Sequence, residues 1–279
     1  MANTGVSDVA ATIEKVVSAM TTKTLIQKSV ALAMPGVWDR SGEVRPGMDR
    51  LDMIELAELA IQTVDESGAA MTPQTITPSA RQLDLDQHKS VPWAVTKRGE
   101  LQSKIALVQR TVENSLLSLA ADVDDYIFGE AVTAAGTTQT VAAGDALEAI
   151  RDCAKAFDLA NVPKEGRALV CSPGFLYDDL LASNNVIRAN EFGSAEPIRM
   201  AAVANIYGIL IFESSSSNIA DDGFLALGME SMAFARQRAV SFERQEQVLN
   251  QKTDYALTHL YGAESTAASN PRIYVYNPA

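Results

Sequence analysis

Between Leu83 and Thr96 apolar and polar residues take turns. Odd positions carry Leu83, Leu85, Val91, Trp93 and Val95, interrupted by Gln87 and Lys89; even positions carry Asp84, Asp86, His88, Ser90, Pro92, Ala94 and Thr96. Successive strand side chains point to opposite faces, so the alternation predicts a strand covered on one side only. From 83 to 95 it would run ~43 Å, whereas common strands have ~5–6 residues. The Thr- and Pro-rich stretch 71–80 reads as its partner strand and turn. Pro73, Pro78 and Pro92 cannot donate ladder hydrogen bonds and belong on edges or bends. A two-stranded arm of this length is marginal alone in water and needs a surface to lie on.

A second pattern follows at helical spacing. Leu101, Ile105, Val108, Val112, Leu116, Leu119, Val123 and Ile127 recur at intervals of 4, 3, 4, 4, 3, 4 and 4. That single stripe predicts a helix from about Glu100 to Phe128, with Gln102, Lys104, Arg110, Glu113 and Asp122 on its solvated side. Gly99 and Gly129 bracket it, and glycine commonly ends a helix.

Elsewhere the elements are shorter. Residues 8–33 read as an amphipathic helical stretch and 34–50 as a loop with Pro35-Gly36 and Pro46-Gly47 turns. Residues 51–64 favour helix by propensity yet permit extended pieces. Residues 131–144 form a small-residue connection. A helix from Asp145 turns Leu147, Ile150, Cys153 or Ala154, and Phe157 inward. Strands at 167–172, 207–213 and 224–228 alternate with short helices at 173–182 and 196–205, predicting a compact mixed unit over 144–235. Three β-like segments, 239–247, 254–263 and 272–277, close the sequence. The class is α+β.

Composition narrows the possibilities. With 279 residues, 47% of them hydrophobic, the chain can bury a sizeable core in one large or two small domains. No apolar run approaches the ~18 residues of a membrane span, and the first residues lack the basic and apolar regions of a signal peptide. Cys153 and Cys171 form neither a close-spaced metal pair nor a disulfide framework, which favours a reducing compartment. A net charge of −12 opposes general affinity for nucleic acid, which rests on Lys and Arg at phosphates.

Asp84, Asp86 and His88 suggest a metal-dependent hydrolase, but on a straight strand the outer two lie ~13 Å apart, and metal–ligand bonds are only ~2.0–2.6 Å. A solvated or subunit-facing surface is the alternative. Ser172 stands at a strand-to-helix turn, yet Pro173 after it has no N–H for an oxyanion hole, so Ser172 reads as a helix cap. Cys171, inside an apolar strand, reads as a small buried hydrophobe. His259 reads as a half-buried structural histidine. Asp124-Asp125 and Asp221-Asp222 read as solvated. Trp38 and Trp93 suit either a partner surface or the core. These readings give no catalytic residue, no metal site and no cofactor.

The order of segments resembles the major capsid proteins of tailed bacteriophages, the Hong Kong ninety-seven-type fold. The resemblance is carried by "MTPQTITP" (71–78), "LDQHKSVPW" (85–93), the long helix with Gln102-Ser103 near its start, "NVPKEGRALVCSP" (161–173), "RANEFG" (188–193), "IYGILIFES" (206–214), "AFARQ" (233–237) and "HLYGA" (259–263). It implies an N-terminal arm over 1–50 and an extended loop over 51–98. It further implies a spine helix with peripheral domain over 99–143, an axial domain over 144–235, and peripheral return strands over 236–279. In such a protein Asp84, Asp86, His88 and Lys89, with Trp93 and Trp38, would be subunit-interface positions.

The same resemblance implies a non-enzymatic role. Copies would assemble as pentamers and hexamers into an icosahedral shell that encloses double-stranded DNA without specific binding. The protein would be made in the bacterial cytoplasm, reside in the virion and meet no membrane. No long, charged coiled-coil stretch precedes residue 20, so a separate scaffolding protein and a portal are the expected partners. An encapsulin-like nanocompartment shell is the alternative within the fold.

Overall fold

The computed structural model describes residues 28–56, 78–102, 107–141, 146–181 and 205–278, together with Leu25, Gln62 and residues 73–75. The arm before Leu25, the second half of 51–64, the stretch 71–72 and 76–77, the "RANEFG" motif and most of the helix expected over 196–205 lie outside the described residues.

The alternating segment is split between two sheets. Strand β1 spans Val37–Asp39, β2 Arg50–Leu56, β3 Pro78–Asp84 and β4 Gln87–Thr96. β3 pairs antiparallel with β2, from Arg50↔Asp84 to Leu56↔Pro78, as a two-stranded hairpin. The backbone then leaves that ladder at Leu85-Asp86, where the Leu85 N–H donates to the Asp49 carbonyl at 2.9 Å and the His88 N–H to the Asp86 carbonyl at 3.0 Å. β4 pairs instead along its whole length with a distant strand, from Lys252↔Thr96 to Tyr261↔Gln87. Two expectations are corrected here. There is no single strand over 83–95, and the support for its second half is the chain's own sheet. The register alternation itself holds, with even positions of β4 exposed and odd ones half-buried.

Two helices follow β4: α1, Lys97–Gln102, and α2, Leu107–Thr133. Leu116, Leu119, Val123 and Ile127 are buried as their spacing requires, and Ala120, Phe128 and Ala131 join them. Gly99 lies inside α1 and Gly129 inside α2 rather than outside them. At Gly129 the missing Cβ makes room for the Asn218 side chain, whose Nδ2 donates to the Asp125 carbonyl at 2.7 Å. The helix continues because Ala131, on its next turn, is fully buried in the core.

The connection expected at 131–144 is the end of α2 plus a strand, β5 (Ala135–Val141). Helix α3, Ala146–Leu159, buries Ile150, Cys153 and Phe157. β6 is Ala168–Cys171, and a π-helical turn spans Phe175–Leu180. β7 is Asn205–Ile206, β8 Ile209–Glu213 and β9 Phe224–Leu227. Three longer strands follow: β10 (Met232–Gln247), β11 (Lys252–Ser265) and β12 (Asn270–Pro278).

A four-stranded sheet has the order β1-β10-β11-β4, and a six-stranded sheet the order β5-β12-β9-β6-β8-β7. Two of the last three strands belong to the first sheet. β10 and β11 lie there, whereas β12 runs inside the second sheet, antiparallel to β9 and parallel to β5. α2 bridges the sheets: Val123, Ile127, Phe128 and Ala131 share one core with Phe234 and Tyr261 of the first and Val170, Leu225, Ile273 and Val275 of the second. α3 covers the other face of the six-stranded sheet, around Leu169, Phe224, Tyr274 and Tyr276.

Candidate subunit interface

The hairpin is rooted on the face of the four-stranded sheet that looks away from α2. Leu51, Met53, Leu83 and Leu85 pack on Ala233 and Ala235 of β10. The contact is close because Gly262 of β11 has no side chain; a Cβ there would overlap the Asp84 carbonyl oxygen. Arg81 of β3 adds an ion pair, with Nε and Nη2 donating to Glu264 Oε1 at 3.1 and 2.5 Å. Beyond this root Ile54 is 72% exposed. Ile54 is thus an apolar side chain that its own chain does not cover among the described residues.

The interface candidates separate into two groups. Asp84, Asp86 and His88 are exposed. Asp84 Oδ1 lies 3.8 Å from Arg50 Nε across the hairpin, and Asp86 Oδ1 accepts from Gln87 Nε2 at 2.9 Å. They occupy three successive even positions spanning two strands in different sheets. Among the described residues no group of His, Cys, Asp or Glu gathers to hold a metal ion, so the hydrolase reading has no geometry to stand on. Trp38 is 42% exposed with the Arg40 guanidinium 4.7 Å from its ring centroid, a cation–π pair at the sheet edge.

Lys89 and Trp93 face inward. Lys89 Nζ lies 3.5 Å from Asp122 Oδ1 on α2. Trp93 stacks on Tyr255 at 5.7 Å and tilts against Phe242 at 6.3 Å, within the cluster that α2 covers. Both are engaged by their own chain because odd positions of β4 turn towards the helix.

Ser172 caps the following turn, its Oγ accepting from the Phe175 N–H at 3.2 Å. Burial and the nearby Glu213 carboxylate push the Cys171 thiol up to about 12, so it is no nucleophile at neutral pH.

One position was misread from sequence. Asp124, expected to be solvated, is buried. Its carboxylate accepts from Ser29 Oγ and, at 2.9 and 3.0 Å, from the Val30 and Ala31 N–H groups. It thereby fastens the segment before β1 to the long helix. Burial raises its pKa, and these hydrogen bonds partly offset the rise. A signal existed: Ala120, Asp124, Phe128 and Ala131 form a second column beside the main stripe.

No family model and no curated protein matches the sequence. Solved structures do. A structure of Mycobacterium phage Che8 is 21% identical with a TM-score of 0.67, over 82% of this chain and 85% of that one. The capsid structure of cyanophage P-SCSP1u is 14% identical with a TM-score of 0.66, over 87% and 86%. The asymmetric unit of the mature capsid of bacteriophage PhiM1 is 11% identical with a TM-score of 0.64, over 87% and 85%.

The chain has the tailed-phage capsid fold. The match covers most of both chains in each comparison rather than one shared motif.

Proposed function

We propose that the chain is the major capsid protein of a tailed bacteriophage, and that many copies close into an icosahedral shell around double-stranded DNA. The observation that carries this is coverage of most of the chain by the capsid fold, on a chain whose β2–β3 hairpin bears an exposed Ile54. The arm, extended loop, peripheral and axial divisions belong to the same proposal, with the loop redrawn as the β2–β3 hairpin. Asp84, Asp86, His88, Lys89, Trp93 and Trp38 are its candidate interface positions, Lys89 and Trp93 also being engaged by their own chain. Pentamers and hexamers of the chain are its assembly units, and scaffolding and portal proteins its further partners. A net charge of −12 suits a wall that encloses DNA without gripping it. Many weak contacts repeated over a closed lattice give a strong shell.

The test is co-expression with the scaffolding protein followed by negative-stain electron microscopy. Megadalton particles of fixed diameter are expected. Monomers under every assembly condition would overturn the proposal, and particles filled with a cargo enzyme rather than DNA would transfer it to an encapsulin-like compartment.

A further inference from the structure

The long helix and the four-stranded sheet meet at a small polar cluster. The Tyr261 hydroxyl donates to Asp122 Oδ2 at 2.7 Å, and Lys89 Nζ lies 3.5 Å from Asp122 Oδ1. His259 lies on the same face, its ring 4.8 Å from that of Tyr261 in a stacked pair. It is 1% exposed, and among the described residues its Nδ1 has no hydrogen-bond partner. The Tyr261 ring also meets Tyr126 of α2 edge-on at 5.7 Å and Phe234 of β10 at 5.9 Å. Tyr261 is therefore one of the side chains that join sheet and helix, and His259 is its neighbour.

We infer that His259 is an acid-release catch between α2 and the sheet: taking up a proton breaks the Tyr261–Asp122 contact and loosens the helix. The charged and titratable groups around the ring decide this. β4 offers Lys89 directly opposite in the ladder, and β10 offers Arg236, whose charge already disfavours a proton on the ring. α2 offers Asp122 as the counter-charge, already shared by Tyr261 and Lys89, and Tyr126, a neutral phenol. A buried imidazolium gains a second N–H with no free acceptor, and a buried unpaired charge is not tolerated. It must either take Asp122 from Tyr261 or leave its site. Both outcomes undo the joint.

Burial, then Arg236, lowers the His259 pKa to about 4 from an ordinary 6.5, with Asp122 opposing. A lowered folded-state value means that stability is present above 6.5 and is lost as pH falls towards 4. The inference goes beyond the capsid reading and holds for the unassembled subunit too.

The experiment is hydrogen exchange on the full-length chain between pH 7.5 and 5, corrected for intrinsic rates, comparing wild type with His259→Phe. In wild type, opening of residues 119–127 and 255–261 should rise about twentyfold by pH 5; in the variant it should not rise. Equal acid response in both, or none in wild type, overturns the inference. His259→Gln serves if the phenylalanine variant does not fold. On wild type alone, NMR titration of the two histidine rings, assigned with His88→Gln, gives the same decision: a His259 ring titrating near its ordinary value overturns it. Failure of particles to form would count against the capsid reading and leave this result untouched.

Discussion

The Asp84 carbonyl lies directly over Gly262, with no room between them for a side chain. The hairpin can settle on the sheet only because one β11 residue has no Cβ. Gly262→Ala should therefore lift the root and cost about 1–3 kcal/mol, the usual range for overpacking. Urea denaturation would measure the loss, and protease sensitivity near Asp84-Leu85 should rise with it.

The Arg81–Glu264 ion pair is the polar half of the same attachment. Both side chains keep some solvent contact, so their coupling should be about 0.5–1 kcal/mol. A double-mutant cycle with Arg81→Met and Glu264→Gln would test it; a coupling of zero would leave the hairpin held by Leu51, Met53, Leu83 and Leu85 alone.

Asp124 fastens the Ser29–Ala31 backbone to α2 by accepting three hydrogen bonds. Asp124→Ala leaves two buried N–H groups without an acceptor and should cost about 1–3 kcal/mol. Asp124→Asn retains one oxygen and should cost less. Faster exchange confined at first to residues 29–33 would identify the lost anchor.

The acid response should weaken with one substitution. Burial raises the pKa of Asp124 and of Glu130, the latter also through the Glu264 and Asp86 charges. For carboxyls raised in the folded state, stability is present on the acid side and is lost as pH rises through the raised values. His259 acts in the opposite sense. His259→Phe removes the histidine's contribution, so the fall of its urea midpoint between pH 7 and 5 should be smaller than in wild type. An undiminished fall in that variant would contradict the assignment.

At the β10–β11 turn Leu249 is 98% exposed beside Val248. The turn is tied within the chain by Gln251 Nε2 donating to the Val248 carbonyl at 2.9 Å and by Asn250 Nδ2 donating to Gln247 Oε1 at 2.7 Å. Leu249→Asp should change subunit stability by no more than about 0.5 kcal/mol. If copies bury this tip against one another, particle yield should fall about tenfold or more, as loss of one buried leucine per contact implies. Unchanged yield would place the tip outside every contact.

What could be read in advance was local. The α2 stripe was legible because a helix covered on one side repeats its apolar residues every three or four positions. The faces of β4 were legible because strand side chains alternate. Neither pattern names a partner. Alternation from Leu83 to Val95 says which side is covered, not that β3 pairs with β2 while β4 pairs with β11. The break at Leu85-Asp86 depends on Gly262, far along the sequence, and leaves no local mark. Gly129 read as a stop because a glycine that admits a loop side chain and a glycine that ends a helix are written alike. Asp124 read as solvated because its donors come from backbone near Val30. Of the interface positions, exposure at Asp84, Asp86 and His88 was readable from face; the inward turn of Lys89 and Trp93 required knowing that α2 lies over that face.

The placement of β12 between β5 and β9 sets a timetable. The neighbours β6, β8 and β9 leave the ribosome first, yet their sheet keeps an open seam until residues 270–278 emerge. A nascent chain therefore carries an unfilled slot in that sheet until those residues take it.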